Sequence, residues 1–204
     1  MRGGCGIRSK STYAEETFEQ VRLEQTDVVS AEFRECRFVR CDFSESMLRA
    51  CVFDECVFVE CDLSLVKLPH SVFSSTRFED SKIIGVNWTE ARWPRLRLLV
   101  PVRFEKCVVN HSTFLGLNLK GVRFTECTAK DVDFREADLS EADFSGTDLT
   151  GAQFGRTNLS GANLQSARNY RIVPAENTLK GARFSLPEAM SLLSGLDIEV
   201  SGWD

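Results

Sequence analysis

The chain has 204 residues, 30 acidic against 25 basic side chains for a net charge of −5, and a hydrophobic content of 43%. That length can bury a sizeable core, and the acid excess argues against direct nucleic-acid binding, which needs a basic surface. No apolar run approaches the roughly 18 residues that cross a bilayer, and no signal-peptide centre follows Met1, so the sequence reads as a soluble, cytoplasmic chain with no membrane role.

Residues 1–15 carry glycine, serine and basic residues without a pattern and read as a flexible N-terminal arm. From Phe18 onward every fifth residue is apolar: Phe18, Leu23, Val28, Phe33, Phe38, Phe43, Leu48, Phe53, Phe58 and so on to Trp93 and Leu98. Two places before each lies a lane of mostly small residues, among them Ala31, Cys36, Cys41, Ser46, Cys51, Cys56 and Cys61. A period of five is neither the 3.6 of a helix nor the 2 of a strand. It needs a chain that turns a corner every five residues and points one large and one small side chain inward on each side. Four such sides close a square coil of about 20 residues, and stacked coils pair like parallel strands about 4.8 Å apart. The expected fold is an all-β solenoid, a quadrilateral β-helix with a filled interior.

Seven of the eight cysteines fall in the small lane. Metal sites want ligands two to four residues apart, often with histidine. There is no CxxC here, and His70 and His111 each lie two places after a ladder residue, so both should face solvent. Neither a metal nor a cofactor is expected. Stacking puts Cys36 on Cys56, Cys41 on Cys61 and Cys107 on Cys127 at about 4.8 Å, within disulfide range, but their parallel Cβ vectors suit a bridge badly. The reading is free thiols acting as small apolar filler.

The segment 94–103, "PRLRLLVPVR", holds two prolines and shifts the ladder register by one. Proline cannot donate to a ladder, so a bulge, kink or short loop containing Arg95, Leu96 and Arg97 is expected there. A second ladder then runs Phe104, Val109, Phe114, Leu119, Phe124, Ala129, Phe134, Leu139, Phe144, Leu149, Phe154, Leu159, Leu164.

Within it, Glu126, Asp131, Asp133, Glu136, Asp138, Glu141, Asp143 and Asp148 face only Lys130 and Arg135, a local net charge of −6. On one coil this is near one charge per Å, roughly the density of duplex DNA, which carries one per about 1.7 Å. Two readings compete. Asp133, Asp138, Asp143 and Asp148 occupy the slot just before a ladder residue, which continues as Gln153, Asn158 and Asn163, so an acceptor for the corner backbone explains acids and amides alike. Glu136 and Glu141 lie two places after the ladder and are freer to meet a partner.

The stretch "ADLSEADFSGTDLTGAQFGRTNLSGANL", residues 137–164, resembles the A(D/N)LXX signature of the pentapeptide-repeat family. The resemblance implies a right-handed quadrilateral β-helix, here over about 16–184. Through the Qnr-type members it also implies a DNA-mimicking rod, of DNA-like width, that binds a type II topoisomerase (DNA gyrase or topoisomerase IV) and protects it from poisons. On that reading Glu126, Asp131, Glu136, Asp138, Glu141, Asp143 and Asp148 would meet the partner. Qnr-type rods carry longer projecting loops, whereas the 94–103 break is short. The alternative is a generic protein-binding scaffold with no topoisomerase role. Catalysis is not expected, because it needs groups converging in a pocket that such a rod does not form.

Residues 165–178 keep the small lane at Ala167 and Ile172 but lose the large one at Asn169 and Pro174, so a last, irregular coil is expected. Beyond it, Ser185 and Glu188 form a capping box, Pro187 suits a first turn and Gly195 can end a helix over about 186–194. Leu186, Met190 and Leu193, followed by Leu196, Ile198 and Val200, would cover the open end of the solenoid, within 185–204. The family resemblance implies that Leu186, Met190, Leu193 and Ile198 join two chains into a dimer; the alternative is a cap within one chain.

Overall fold

Each five-residue unit consists of an inward small-lane residue, an outward residue, the inward ladder residue, a second outward residue and a corner residue. The corner residue lies in the left-handed region in side after side, with φ of 53° at Gln20, 52° at Glu60 and 60° at Glu141. The structure, a computed structural model, describes residues 6–93 and 102–195.

Two kinds of corner occur along the chain. In one, the lane residue donates its N–H to the ladder carbonyl three residues back, as from Val66 to Leu63 at 3.2 Å and from Ala142 to Leu139 at 3.1 Å. With positive φ at the third position this is a type II turn. In the other, the three residues centred on the ladder form a short strand. The strands assemble into parallel sheets in which partners lie 20 residues apart, as the square coil requires. One sheet holds Thr12–Ala14, Glu32–Arg34, Val52–Asp54 and Val72–Ser74. A second has six strands: Thr17–Glu19, Arg37–Val39, Val57–Val59, Arg77–Glu79, Arg103–Glu105 and Arg123–Thr125. The result is an all-β solenoid of about eight turns.

Behind the six-stranded sheet the phenyl rings of Phe18, Phe38, Phe58, Phe78, Phe104, Phe124 and Phe144 stack face to face, with centroids 4.5 to 5.4 Å apart. Tyr13, Phe33, Phe53 and Phe73 stack likewise behind the first sheet. The two stacks meet edge to face, as between Phe33 and Phe38, which is the offset geometry that ring quadrupoles favour. The ladder residues are buried from Phe18 to Trp88 and from Phe104 to Leu164, and Trp93 is half-buried against them.

Four expectations need correction. The N-terminal arm is shorter than 1–15, because Thr12–Ala14 pairs in register with Glu32–Arg34, Tyr13 is 7% exposed and Ile7 is buried. Tyr13 is simply the ladder extended five residues back from Phe18. The register break is an insertion of six residues, not a slip of one: Arg77 pairs with Arg103 and Lys82 with Val108, 26 residues on. Counting by fives cannot tell six from one. The extra residues fall between Trp93 and Val102, and Arg95, Leu96 and Arg97 lie outside the described residues.

In the last coil, Tyr170 takes the inward place that Asn169 gives up; it is 2% exposed, while Asn169 turns a corner at φ 61°. The C-terminal element is a 3-10 helix, Glu188–Gly195, preceded by a cis Leu186–Pro187 peptide. The capping box does not form, since the Ser185 hydroxyl accepts the Ser166 N–H at 2.9 Å from the neighbouring coil. Leu192 packs against the core and Met190 and Leu193 are half-buried, whereas Leu186 is 71% exposed. Leu196, Ile198 and Val200 lie outside the described residues.

Candidate functional site

The acidic coil separates into two classes of carboxylate. Asp133, Asp138, Asp143 and Asp148 each accept the backbone N–H two residues on, from Arg135, Ser140, Ser145 and Thr150, at 3.0 to 3.1 Å. These are Asx turns that satisfy the corner backbone. The same bond recurs at Asp42, Asp62, Asn158 and Asn163, which shows why acid and amide share the slot. The amides of Asn158, Asn163 and Asn169 then donate to Asp138, Asp143 and Asp148 at 2.9 to 3.0 Å, lacing successive coils together.

Asp133 is gripped further by the Arg135 guanidinium, at 2.9 and 2.7 Å, which holds its carboxyl below the ordinary 3.8. Asp148 is 8% exposed. Burial alone would raise its pKa, but hydrogen bonds from Asn169 and Thr150 and the nearby Arg168 charge outweigh it, and the net direction is down.

The second class, at the corners, points outward and is exposed: Glu126, Asp131, Glu136 and Glu141, with φ of 54°, 54°, 61° and 60°. Three of the four meet side chains of adjacent coils, two of them cationic. Glu136 pairs with Arg156, Glu141 with Lys120 at 2.8 Å, and Asp131 faces His111 at 3.7 Å. Glu126 has no ion pair among the described residues. Counting charges along the sequence between 126 and 148 therefore overstates the field, because Lys120, Arg156 and Arg168 neutralise it from coils above and below. The 20-residue stacking rule held the signal: Arg156 lies over Glu136, Arg168 over Asp148 and His111 beside Asp131. Exposed pairs of this kind are screened and worth about 0 to 1 kcal/mol each.

The seven lane cysteines, Cys36, Cys41, Cys51, Cys56, Cys61, Cys107 and Cys127, are all buried and free. They are more than filler. At corners without a type II turn, a lane N–H is left over, and the thiol or hydroxyl one coil on accepts it: Cys41 to Cys61 Sγ at 3.4 Å, Cys51 to Ser71 Oγ at 2.9 Å, Cys61 to Ser81 Oγ at 3.0 Å, Cys127 to Thr147 Oγ1 at 3.1 Å. The accepting group in turn donates to a ladder carbonyl of the preceding coil, as from Ser71 to Leu48 at 2.6 Å and from Thr147 to Phe124 at 2.5 Å. Burial pushes the Cys56 thiol up to about 12. Hydrogen bonding to Cys41 and Cys107, reinforced by burial, pushes Cys61 and Cys127 up as well.

His70 and His111 are corner residues at φ 62° and 57°. Among the described residues no group of three or more His, Cys, Asp or Glu is placed to hold a metal ion, and no helix is long and apolar enough to cross a membrane.

Two solved structures share the architecture. HetL, a pentapeptide-repeat protein involved in heterocyst differentiation regulation in the cyanobacterium Nostoc, is 19% identical over 87% of each chain, with a TM-score of 0.67. A trypsin-treated form of QnrB1, a plasmid-mediated fluoroquinolone resistance protein, is 16% identical over 94% of this chain and all of its own, with a TM-score of 0.62. At these identities the likeness is one of fold. No curated protein matches the chain. The family model for the pentapeptide repeat region matches residues 31–100 and 98–164, which together span most of the solenoid, and the chain belongs to the pentapeptide-repeat family.

Proposed function

We propose that this rod is a non-catalytic, cytoplasmic binding protein whose partner is a type II topoisomerase, DNA gyrase or topoisomerase IV, which it protects from poisoning by presenting a DNA-like surface. What supports the reading is the ring of exposed corner carboxylates on one turn, Glu126, Asp131, Glu136 and Glu141, on a solenoid whose fold QnrB1 shares. Asp138, Asp143 and Asp148 contribute charge but are tied to the corner backbone. The exposed pairs of Glu136 and Glu141 cost little to open, so a basic groove can take over those carboxylates. Two rods would join through Leu186, Met190 and Leu193, with Ile198 beyond them, into a dimer; Leu186, at 71% exposure, is the residue left over for such a contact.

The second reading, a protein-binding scaffold with another partner, is favoured by one observation: two of the four corner acids already have cations beside them. A supercoiling assay with gyrase, with and without a quinolone, separates the two. The parent should protect at low salt and lose protection as salt rises, since exposed charges are screened beyond about 8 Å at physiological ionic strength. Glu126→Lys combined with Glu136→Lys and Glu141→Lys should abolish protection with an unchanged thermal melt. Protection that survives this triple change, or a parent that never protects, leaves the scaffold reading in place.

A further inference from the structure

The outer surface of the six-stranded sheet carries no other strand or helix among the described residues, and its side chains form two columns. The first residues of the strands run Thr17, Arg37, Val57, Arg77, Arg103, Arg123; the last run Glu19, Val39, Val59, Glu79, Glu105, Thr125. Registered pairing places these residues directly above one another, Arg77 on Arg103 and Arg103 on Arg123, with Glu79 on Glu105. Neighbouring coils are about 4.8 Å apart. A stripe of three guanidinium groups thus runs along the rod beside a stripe of carboxylates. Arg77 pairs with Glu79 at 3.3 Å, but Arg103, Glu105 and Arg123 have no ion pair among the described residues. In the next two coils, Val57 and Val59 and then Val39 present apolar side chains outward, none of them fully buried.

We infer that this face pairs with the same face of a second copy, the two rods lying side by side and parallel about a two-fold axis that runs along them. Rotation about such an axis exchanges the two columns at constant height. Arg77 then meets the partner subunit's Glu79, Arg103 meets the partner subunit's Glu105, and Val57 meets the partner subunit's Val59. Every strand contacts its own copy, as an isologous interface requires. The antiparallel arrangement is excluded, because it sets the arginine column against itself, and like charges in contact cost several kcal/mol. The neighbouring four-stranded sheet has such a pair only at Glu32 and Arg34, since Val52 would face the partner's Asp54 and Val72 the partner's Ser74.

The strip is about 25 Å long and about 10 Å wide, from strand spacing and rise. That is well short of the about 800 Å² per partner of a standard stable interface. The pairing is therefore weak and driven by charge register. It is distinct from the end-to-end contact at Leu186, and the two together would let rods associate both along their length and side by side.

The test is sedimentation velocity on the full chain carrying Leu186→Asp, which removes the end contact. The mass should rise toward twice the monomer as concentration approaches about 1 mM in dilute buffer, and fall back to monomer in about 0.5 M salt. Arg77→Glu with Arg103→Glu makes the face acidic and should give a monomer throughout; Glu79→Arg with Glu105→Arg should do the same. Mixing those two variants should restore dimers, and so should all four changes in one chain. A Leu186→Asp protein that stays monomeric at about 1 mM and low salt overturns the inference, as does a reversed-charge variant that associates like its parent. Failure of the mixed pair to associate while each partner melts as a folded protein overturns it as well.

Discussion

Cys127 accepts the Cys107 N–H at 3.4 Å and donates to the Phe104 carbonyl at 3.3 Å, so it bridges two coils where no turn bond is available. Ala142, in the same lane, needs no such help below it, because its own N–H closes a type II turn onto Leu139. Cys127→Ala should therefore destabilise by about 1 to 3 kcal/mol, the cost of a buried unsatisfied donor, while Cys127→Ser should cost far less. Urea unfolding at neutral pH measures both. The sequence showed that the lane is small; it did not show why cysteine, serine and threonine dominate one stretch and alanine another, because corner type is invisible to a count of fives. The thiols also set an alkaline limit. Cys56 is raised by burial from an ordinary 9.0 to about 12, and Tyr170 by burial and the Glu188 charge from 10.0 to about 12. The folded state holds these protons more tightly than the unfolded one, so their contribution is complete below pH 9 and drains away as pH climbs toward 12. The urea midpoint should fall between pH 8.5 and about 11, and the seven lane thiols of the native protein should ignore a thiol reagent that labels them in the denatured chain.

At the scale of one five-residue side, the aspartates before the ladder behave as corner fittings. Asp138→Ala should cost about 1 kcal/mol through loss of the Ser140 and Asn158 bonds, and Asp138→Asn much less, since an amide oxygen can still accept the Ser140 N–H. Thermal denaturation of the pair of variants decides between corner fitting and surface charge: equal melting points would mean that only charge matters at this slot. Asp133 and Asp148 carry depressed carboxyl pKa values, so their stabilisation is present above 3.8 and is lost as pH drops through the lower folded-state values. Acid unfolding should accordingly begin below about pH 4, and Asp133→Asn should flatten that limb. The equivalence of Asp and Asn in this slot was legible from Gln153, Asn158 and Asn163 before any coordinates. The side chains that face Glu136 and Asp131 were not weighed, because they sit a full coil away in sequence and only stacking brings Arg156 and His111 alongside. Nor could the capping box at Ser185 be judged locally, since the competing donor, Ser166, lies in the preceding coil.

The whole rod is a one-dimensional stack in which each coil touches only its neighbours, so its stability should scale with coil number and its parts should be removable in units of the repeat. Deleting residues 123–142 joins Val122 to Asp143 and takes out one 20-residue coil, because Arg123 and Asp143 occupy the same place one turn apart. All columns stay in register: Phe144 lands on Phe104, Leu149 on Val109 and Phe154 on Phe114. The shortened chain should fold with an unchanged far-ultraviolet spectrum and a lower unfolding free energy. Deleting ten residues, 123–132, should do worse although it preserves the period of five. It rotates everything beyond by two faces, setting Phe144 on Phe114's column and placing Ala137, which has no acceptor side chain, over Cys107, whose N–H relied on the Cys127 thiol. A ten-residue deletion as stable as the twenty-residue one would mean that the period alone, and not the face-by-face register, holds the coils together. The same twenty-residue deletion removes Glu126, Asp131, Glu136, Asp138 and Glu141 without leaving a strained or cavity-bearing site. If the topoisomerase reading holds, this folded, shorter rod should no longer protect gyrase in the supercoiling assay, whereas deletion of residues 37–56, a turn of the same length that spares the acidic coil, should protect as the parent does.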